Sequence, residues 1–352
     1  MNSDLPILAD APASAIIPAT AGTAASAAAA ATIFPRYQQR LAPATRDRQR
    51  SDLARFAEYL AAVQVIAPSE TISVADALVS APSAWAAISW GLIEGFVEWM
   101  LREGDATGSI SVRLATIRRY CQLAAQAGAI ADADLAFILR VKAPGGKAAR
   151  NLDAERDVTR RSGEKDAAIV LEGRHIKQLK QQPDTPQGRR DALILTILLD
   201  HGLRVGELAA LTIGAIDAVN GLLVFYRPKV DRRQTHRLTA DALVAASRYL
   251  SLDRAEAAPA DRLLVGSRKG GSLAATGMSV QAIRERVRRL GQAVGVPNLS
   301  PHDLRHTWAT RAQRGGTSAF ALRDAGGWSS LAMPNRYAHA AAIANDEVTL
   351  AD

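Results

Sequence analysis

The stretch Leu299-Ser300-Pro301-His302-Asp303-Leu304-Arg305-His306, followed by Gly326-Gly327-Trp328 and then Arg336-Tyr337, decides how this chain is read. A Ser, a Pro directly after it and an Asp three residues on form a helix-start signature. It places Ser300 at the N-cap, Pro301 at the first helical position and Asp303 at the third. Such a helix puts His302 and Arg305 on one face. His302 then lies in the first turn, where unpaired N–H groups and the helix dipole favour an anion. A capped helix whose histidine is merely buried and satisfied would carry the same pattern. Upstream, an apolar helix over 192–201 is closed by Gly202. Arg204 opens the next helix, with Glu207 three residues on, and an ordinary surface ion pair between the two is the plain alternative.

Two arginines on separate helices, an indole N–H and a phenol suit one reaction, attack of a tyrosine on a phosphodiester. Charge builds on the non-bridging oxygens in the transition state, so fixed donors aimed there matter most. Arginine offers a planar fork whose charge does not titrate away, so Arg204 and Arg305 are the candidate clamp. Trp328 can donate its Nε1–H to a phosphate oxygen, or simply be a core aromatic. Tyr337 is the candidate nucleophile. With a pKa of about 10, about one phenol in a thousand is ionised near neutrality, so neighbouring charge or a base must supply roughly 4 kcal/mol. Residues 222–226 are β-prone, 229–234 polar, and 235–239 can pair back, which predicts a hairpin with a charged tip. Lys229 at that tip is the candidate general acid for the leaving 5′ oxygen; a solvated turn lysine is its plain alternative.

The rest of the chain is consistent with a nucleic-acid partner. The 352 residues predict two domains, 48% of them are hydrophobic, and the formal charge of +8 points to a polyanion. Cys121 is the single cysteine, which excludes an internal disulfide and a cysteine metal cluster and fits a reducing cytoplasm. No run approaches the roughly 18 apolar residues of a membrane span. The first basic residue is Arg36, so no secretory leader is expected.

Residues 1–42 are Ala-rich and are expected to form a disordered tail. Residues 43–139 read as a helical domain, with a helical stripe at Leu53, Phe56, Ala57 and Leu60 preceded by Pro43-Ala44-Thr45 and further helices at 83–103 and 109–127. Arg113, Arg118 and Arg119 lie largely off the apolar face of the last of these, either as a solvated face or as a phosphate-facing edge. Residues 140–167 combine Gly145-Gly146 with a basic excess that includes Arg160 and Arg161, and read as a linker able to track a phosphate backbone. Residues 168–352 form the second domain, with further helices at 240–251, 279–293, 302–313 and 317–325. The predicted fold is mainly α with a small β-hairpin or sheet.

These motifs together resemble the phage-integrase family of tyrosine recombinases. Gly202-Leu203-Arg204-Val205-Gly206-Glu207-Leu208 resembles the first arginine box, the stretch from Leu299 to His306 the His-x-x-Arg box, and Gly326-Gly327-Trp328-Ser329-Ser330 with Asn335-Arg336-Tyr337-Ala338-His339 the final box. Arg305 precedes Trp328 by 23 residues, and Trp328 precedes Tyr337 by nine. The resemblance implies a C-shaped, two-domain clamp on duplex DNA, with 43–139 as core-binding domain and 168–352 as catalytic domain with a C-terminal tail. It implies Arg204, Lys229, His302, Arg305 and Trp328 as catalytic residues beside the nucleophile Tyr337. Cleavage would give a 3′-phosphotyrosyl link and a free 5′ hydroxyl. A homotetramer would pair two duplexes with inverted-repeat core sites through a Holliday junction, in the cytoplasm at the nucleoid. No cofactor or metal is implied, and Pro144-Gly145-Gly146-Lys147-Ala148 lacks the hydroxyl residue of a Walker A loop. Three departures stand out. Trp328 occupies a position where many relatives have His, Arg227-Pro228-Lys229-Val230 replaces the commoner Gly-Lys-Gly, and the segment before residue 43 predicts no separate arm-binding domain. Two rival readings share most of these residues: a type IB topoisomerase-like enzyme, and a catalytically inactive DNA-binding relative.

Overall fold

The computed structural model describes residues 19–159 and 168–341. The chain divides into two compact units, Met1–Glu164 and Lys165–Asp352. Among the described residues it is mainly helical with two small antiparallel sheets, as the sequence predicts. No described helix is long and apolar enough to cross a membrane.

The first unit holds seven described helices: α1 (Ala19–Gln39), α2 (Pro43–Ala62), α3 (Thr71–Ser80), α4 (Trp90–Arg102), α5 (Thr107–Gln126), α6 (Asp132–Ile138) and α7 (Gly146–Glu155). Its core is aromatic. Phe56 stacks on Trp85 with centroids 6.2 Å apart, and Trp85 stacks on Tyr120 at 5.8 Å.

Three expectations need correction here. The helix expected over 83–103 starts only at Trp90, because Pro82–Trp85 forms a separate 3-10 turn that delivers Trp85 to the core. The Ala-rich segment is helical from Ala19. Alanine is the best helix former, so residues 21–32 can run largely exposed while the last turns anchor the helix. Phe34 is fully buried with its ring 5.3 Å from that of Tyr120, and Tyr37 packs edge-on at 5.7 Å. Counting large apolar residues over the whole tail missed that a few at one end suffice. Residues 1–18 lie outside the described residues. Part of the expected linker is also ordered. It forms α7, after which Arg156 donates to the carbonyls of Leu101 (2.9 Å) and Asp105 (3.1 Å) and so fastens the segment to the end of α4.

The second unit contains α8 (Gly173–Lys180), α9 (Pro186–His201), α10 (Val205–Ala210), α11 (Ala240–Asp253), α12 (Val280–Ala293), α13 (Pro301–Arg314), α14 (Ala319–Gly326) and α15 (Ala332–Ala341). Strands β1 (Ile216–Asp217), β2 (Leu222–Arg227) and β3 (Arg232–Arg237) form one sheet in that order, and β4 (Val265–Ser267) pairs with β5 (Leu273–Gly277). Helix α9 is the hub. Leu193, Ile194, Leu195, Ile197, Leu198 and Leu199 are all fully buried, so it is apolar around most of its circumference and can be covered on several sides. Thr185 caps its start by accepting from the Gly188 N–H at 3.0 Å.

The start of α13 follows the predicted signature. Ser300 is the N-cap with Pro301 behind it, and the Ser300 N–H donates to Asp303 Oδ2 at 2.7 Å. Asp303 also accepts from the Ile169 N–H at 2.9 Å, which ties the beginning of the unit to α13. The predicted hairpin is β2–β3, with Leu222 opposite Arg237 and Arg227 opposite Arg232 at its tip end.

Candidate active site

Helix α9 ends at Gly202, which adopts φ +60° and ψ 32°. A Cβ in that left-handed conformation would be strained, and here it would also overlap the Trp308 ring of α13. The reversal leaves Arg204 at the N-cap of α10, where its own N–H donates to Glu207 Oε2 at 2.8 Å. Its guanidinium donates to Glu207 Oε1 at 2.8 Å and to the Gly327 carbonyl at 3.0 Å. The ion pair with Glu207 therefore exists, but Glu207 is buried and the pair is no surface ornament.

Arg305 projects from α13 and is only 4% exposed. It donates to the Gly202 carbonyl and, at 2.6 Å, to the Gly326 carbonyl. Its guanidinium lies 4.6 Å from the centre of the Trp328 ring. Arg204 and Arg305 thus converge on one turn, Gly326-Gly327, at the C-terminal end of α14. The unpaired carbonyls and the negative dipole end of a helix are a natural seat for cations. Gly327 has φ +60°, and a Cβ there would meet Arg227 Cδ at 2.5 Å.

Trp328 follows that turn, with its ring 6.1 Å from Trp308 and 5.7 Å from Tyr337. Tyr337, on α15, is 2% exposed, and its ring meets His306 edge-on at 4.8 Å. Burial holds the Tyr337 phenol above its ordinary range, while Arg305 and Arg336 pull it back down. Burial, then Arg204 and Arg227, push Arg305 down to about 9. Positive charge is crowded here beyond what one carboxylate neutralises, and an arriving anion would relieve it. His306 is lowered by burial and by His302 and Arg336, with Asp303 opposing.

Arg204, Arg305, Trp328 and Tyr337 therefore form one connected cluster. His302 is exposed in the first turn of α13, one turn before His306. Lys229 is exposed in the loop 228–231, and among the described residues it shares no hydrogen bond or ion pair with the cluster. In the first unit, Arg113 is tied to Asp105 Oδ1 at 2.7 Å, and Arg119 lies over the Tyr37 ring at 5.0 Å. Arg118 is half-buried, with Nε and Nη2 lacking hydrogen-bond partners. Arg160 and Arg161 lie outside the described residues, as does the chain from residue 342 on.

Sequence reasoning missed Arg227. It is fully buried and donates to Glu207 Oε2 (2.9 Å) and to the carbonyls of Gly326 (3.2 Å) and Ala325 (2.7 Å). The signal was present: Leu223, Phe225 and Arg227 share the inward register of β2.

Residues 170–343 match the model of the phage integrase family. The tyrosine recombinase XerD of Neisseria meningitidis is 28% identical over 189 residues, a match covering 51% of this chain and 61% of that protein. The tyrosine recombinase XerC of Haemophilus ducreyi is 24% identical over 307 residues, 87% of each chain. Among solved structures, the Tn1549 transposon integrase in complex with a circular intermediate DNA superposes with a TM-score of 0.56 at 16% identity. That match covers 81% of this chain and 94% of that one, a likeness of fold. The family model lies over every one of the boxes that carry Arg204, Arg305, Trp328 and Tyr337, and the chain belongs to the phage integrase family of tyrosine recombinases.

Proposed function

We propose that the protein is a site-specific DNA recombinase that cleaves and rejoins duplex DNA through Tyr337. The observation that carries this reading is the convergence of Arg204 and Arg305 on the Gly326-Gly327 turn, which also presents Trp328 beside the Tyr337 ring. Each guanidinium keeps further N–H groups for a phosphate, and Trp328 adds one more donor. His302, at the positive end of α13, adds another.

In cleavage the Tyr337 oxygen forms a bond to phosphorus, its proton leaves to a base or to solvent, and the bond from phosphorus to the 5′ oxygen breaks. Lys229 gives that oxygen its proton. The product is a 3′-phosphotyrosyl link and a 5′ hydroxyl. Attack by the 5′ hydroxyl of a partner duplex reverses the chemistry and releases Tyr337. Bond energy is conserved in the covalent link, so the cycle consumes no nucleotide. The family relationship supports a homotetramer on two duplexes with inverted-repeat core sites, passing through a Holliday junction, in the cytoplasm at the nucleoid. Arg118 and Arg119, with Arg160 and Arg161, are the proposed backbone contacts outside the catalytic unit; Arg113, expected with them, is paired with Asp105 instead.

The test is an assay with two copies of the inverted-repeat site, selected by binding, on one supercoiled plasmid. Recombinant circles and a four-way junction intermediate are expected. Relaxed plasmid without recombinants would instead establish a nicking-resealing enzyme that acts on a single duplex. Binding without any strand breakage would establish an inactive DNA-binding relative.

A further inference from the structure

Arg227 is used by none of the steps above, yet it is the most completely enclosed cation in the catalytic unit, fully buried and tied to three separate elements. From β2 it reaches Glu207 on α10 and the last carbonyls of α14. Its Nε–H donates to Gln234 Oε1 on β3, and Gln234 Nε2 donates in turn to the Asp324 carbonyl at 2.6 Å. Both strands of the hairpin are therefore fastened to the end of α14. Arg227 and Arg232 are the last paired residues before the tip, so this fastening sits at the base of the loop that carries Lys229. The far side of the loop is closed by Asp231, which has φ +45° and accepts from the Tyr226 hydroxyl.

We propose that Arg227 is a positioning residue that locks the Lys229 hairpin to the same α14 terminus that seats Arg204 and Arg305, so that the proton donor and the phosphate clamp are delivered as one unit. A lone buried arginine on a strand is costly unless it is fully hydrogen-bonded, and here every partner is either Glu207, which also holds Arg204, or part of the hairpin and α14. The packing is equally committed. A side chain at Gly327 would displace Arg227 itself, since a Cβ would sit 2.5 Å from its Cδ and 2.8 Å from its Nε. Without the tether, the hairpin keeps its ladder but loses its fixed distance to the Gly326-Gly327 turn. Lys229, exposed and unpaired with the cluster, then has only the Gln234 bond to the Asp324 carbonyl at the hairpin base to hold it over the leaving oxygen. The proposal rests on the assignment of Lys229 as general acid.

The experiment compares a nicked duplex bearing the binding-selected site with the same duplex carrying sulfur in place of the 5′ bridging oxygen. A thiolate has a far lower pKa than an alkoxide and leaves without a proton. Arg227→Gln is expected to slow single-turnover cleavage of the oxygen substrate by ~10²-fold and to cleave the sulfur substrate within a few-fold of the unaltered protein. Lys229→Ala should show the same rescue. Arg227→Lys keeps the charge beside Glu207 but not the fork, and should show the same pattern more weakly; it carries the test if the glutamine variant fails to fold. If Lys229→Ala is rescued by sulfur but the Arg227 variants are not, Arg227 acts through the clamp or the fold and the tether is wrong. If the Arg227 variants cleave the oxygen substrate at the unaltered rate, the tether is equally wrong. If Lys229→Ala gains nothing from sulfur, the assignment of Lys229 falls and the tether with it.

Discussion

Two clusters of arginines, one in each unit, are neutralised in opposite ways, although elsewhere in the second unit Arg189, Arg190 and Arg286 are also paired with carboxylates. In the first unit, Arg55 pairs with Asp105 at 3.0 Å and Glu58 at 2.7 Å, Arg113 pairs with Asp105 at 2.7 Å, and Arg48 pairs with Asp52. Each of these three guanidiniums meets at least one carboxylate. In the second unit, Arg204, Arg227 and Arg305 crowd together with one carboxylate, Glu207, which pairs with the first two; their other partners are backbone carbonyls and the Gln234 side-chain amide. Carbonyls satisfy the hydrogen bonds of a guanidinium without cancelling its charge. The first arrangement neutralises its cations within the fold; the second leaves surplus positive charge, which the proposed function assigns to a phosphate. The depression of Arg305 to about 9 by burial and by its two arginine neighbours is the same fact seen as a proton affinity.

That contrast predicts separable phenotypes. The largest effect should come from the second unit. Arg204→Ala or Arg305→Ala should slow single-turnover cleavage by about 10²–10³-fold, as expected for loss of one preorganised donor, with a far smaller change in DNA affinity. Equal cleavage by either variant would remove that residue from the clamp. Next, Arg55→Ala removes one of the two arginines paired with buried Asp105, leaving Arg113, and should cost about 2 kcal/mol of stability in denaturant melts. Variant protein that remains folded should still form the covalent intermediate. Loss of chemistry with unchanged stability would break the distinction between the two regions.

A smaller effect concerns pH. Because burial raises Tyr337 above its ordinary range, the phenol is protonated near neutrality, and its ionised fraction grows about tenfold per pH unit below the pKa. Single-turnover cleavage should therefore rise with pH across the neutral range, measured at fixed ionic strength. A flat profile would mean that loss of the Tyr337 proton does not limit attack. The smallest expected change is in the cap of α13. Ser300→Ala should cost about 1 kcal/mol, read from chemical melts, and should slow cleavage only as far as it loosens Arg305.

Much of the proposed clamp was legible because it follows local rules. Ser300, Pro301 and Asp303 announce α13, Gly202 announces the end of α9, and the three-residue step from His302 to Arg305 needs only the helical repeat. What escaped depends on contacts distant in sequence. Nothing local says that Arg227 reaches carbonyls roughly a hundred residues away at the end of α14. Only the alternation of β2 marked it as inward, and an arginine in that register looks like an exception. Glu207 was legible as the partner of Arg204 but not as the carboxylate shared with Arg227. In the first unit, the Ala-rich segment misled because propensity alone carries α1 through solvent until Phe34 reaches the core. The short helices α6, α7 and α8 lack a long apolar repeat, and α7 is held by the backbone contacts of Arg156 rather than by its own pattern.

The most direct test of the account is covalent trapping on a nicked duplex carrying the binding-selected site, where the short 5′ fragment diffuses away after cleavage. Peptide mass mapping should find DNA attached through a 3′ phosphate to the peptide containing Tyr337, and Tyr337→Phe should bind the duplex yet yield no adduct. An adduct that persists in the phenylalanine variant, or that maps to any other residue, would contradict it.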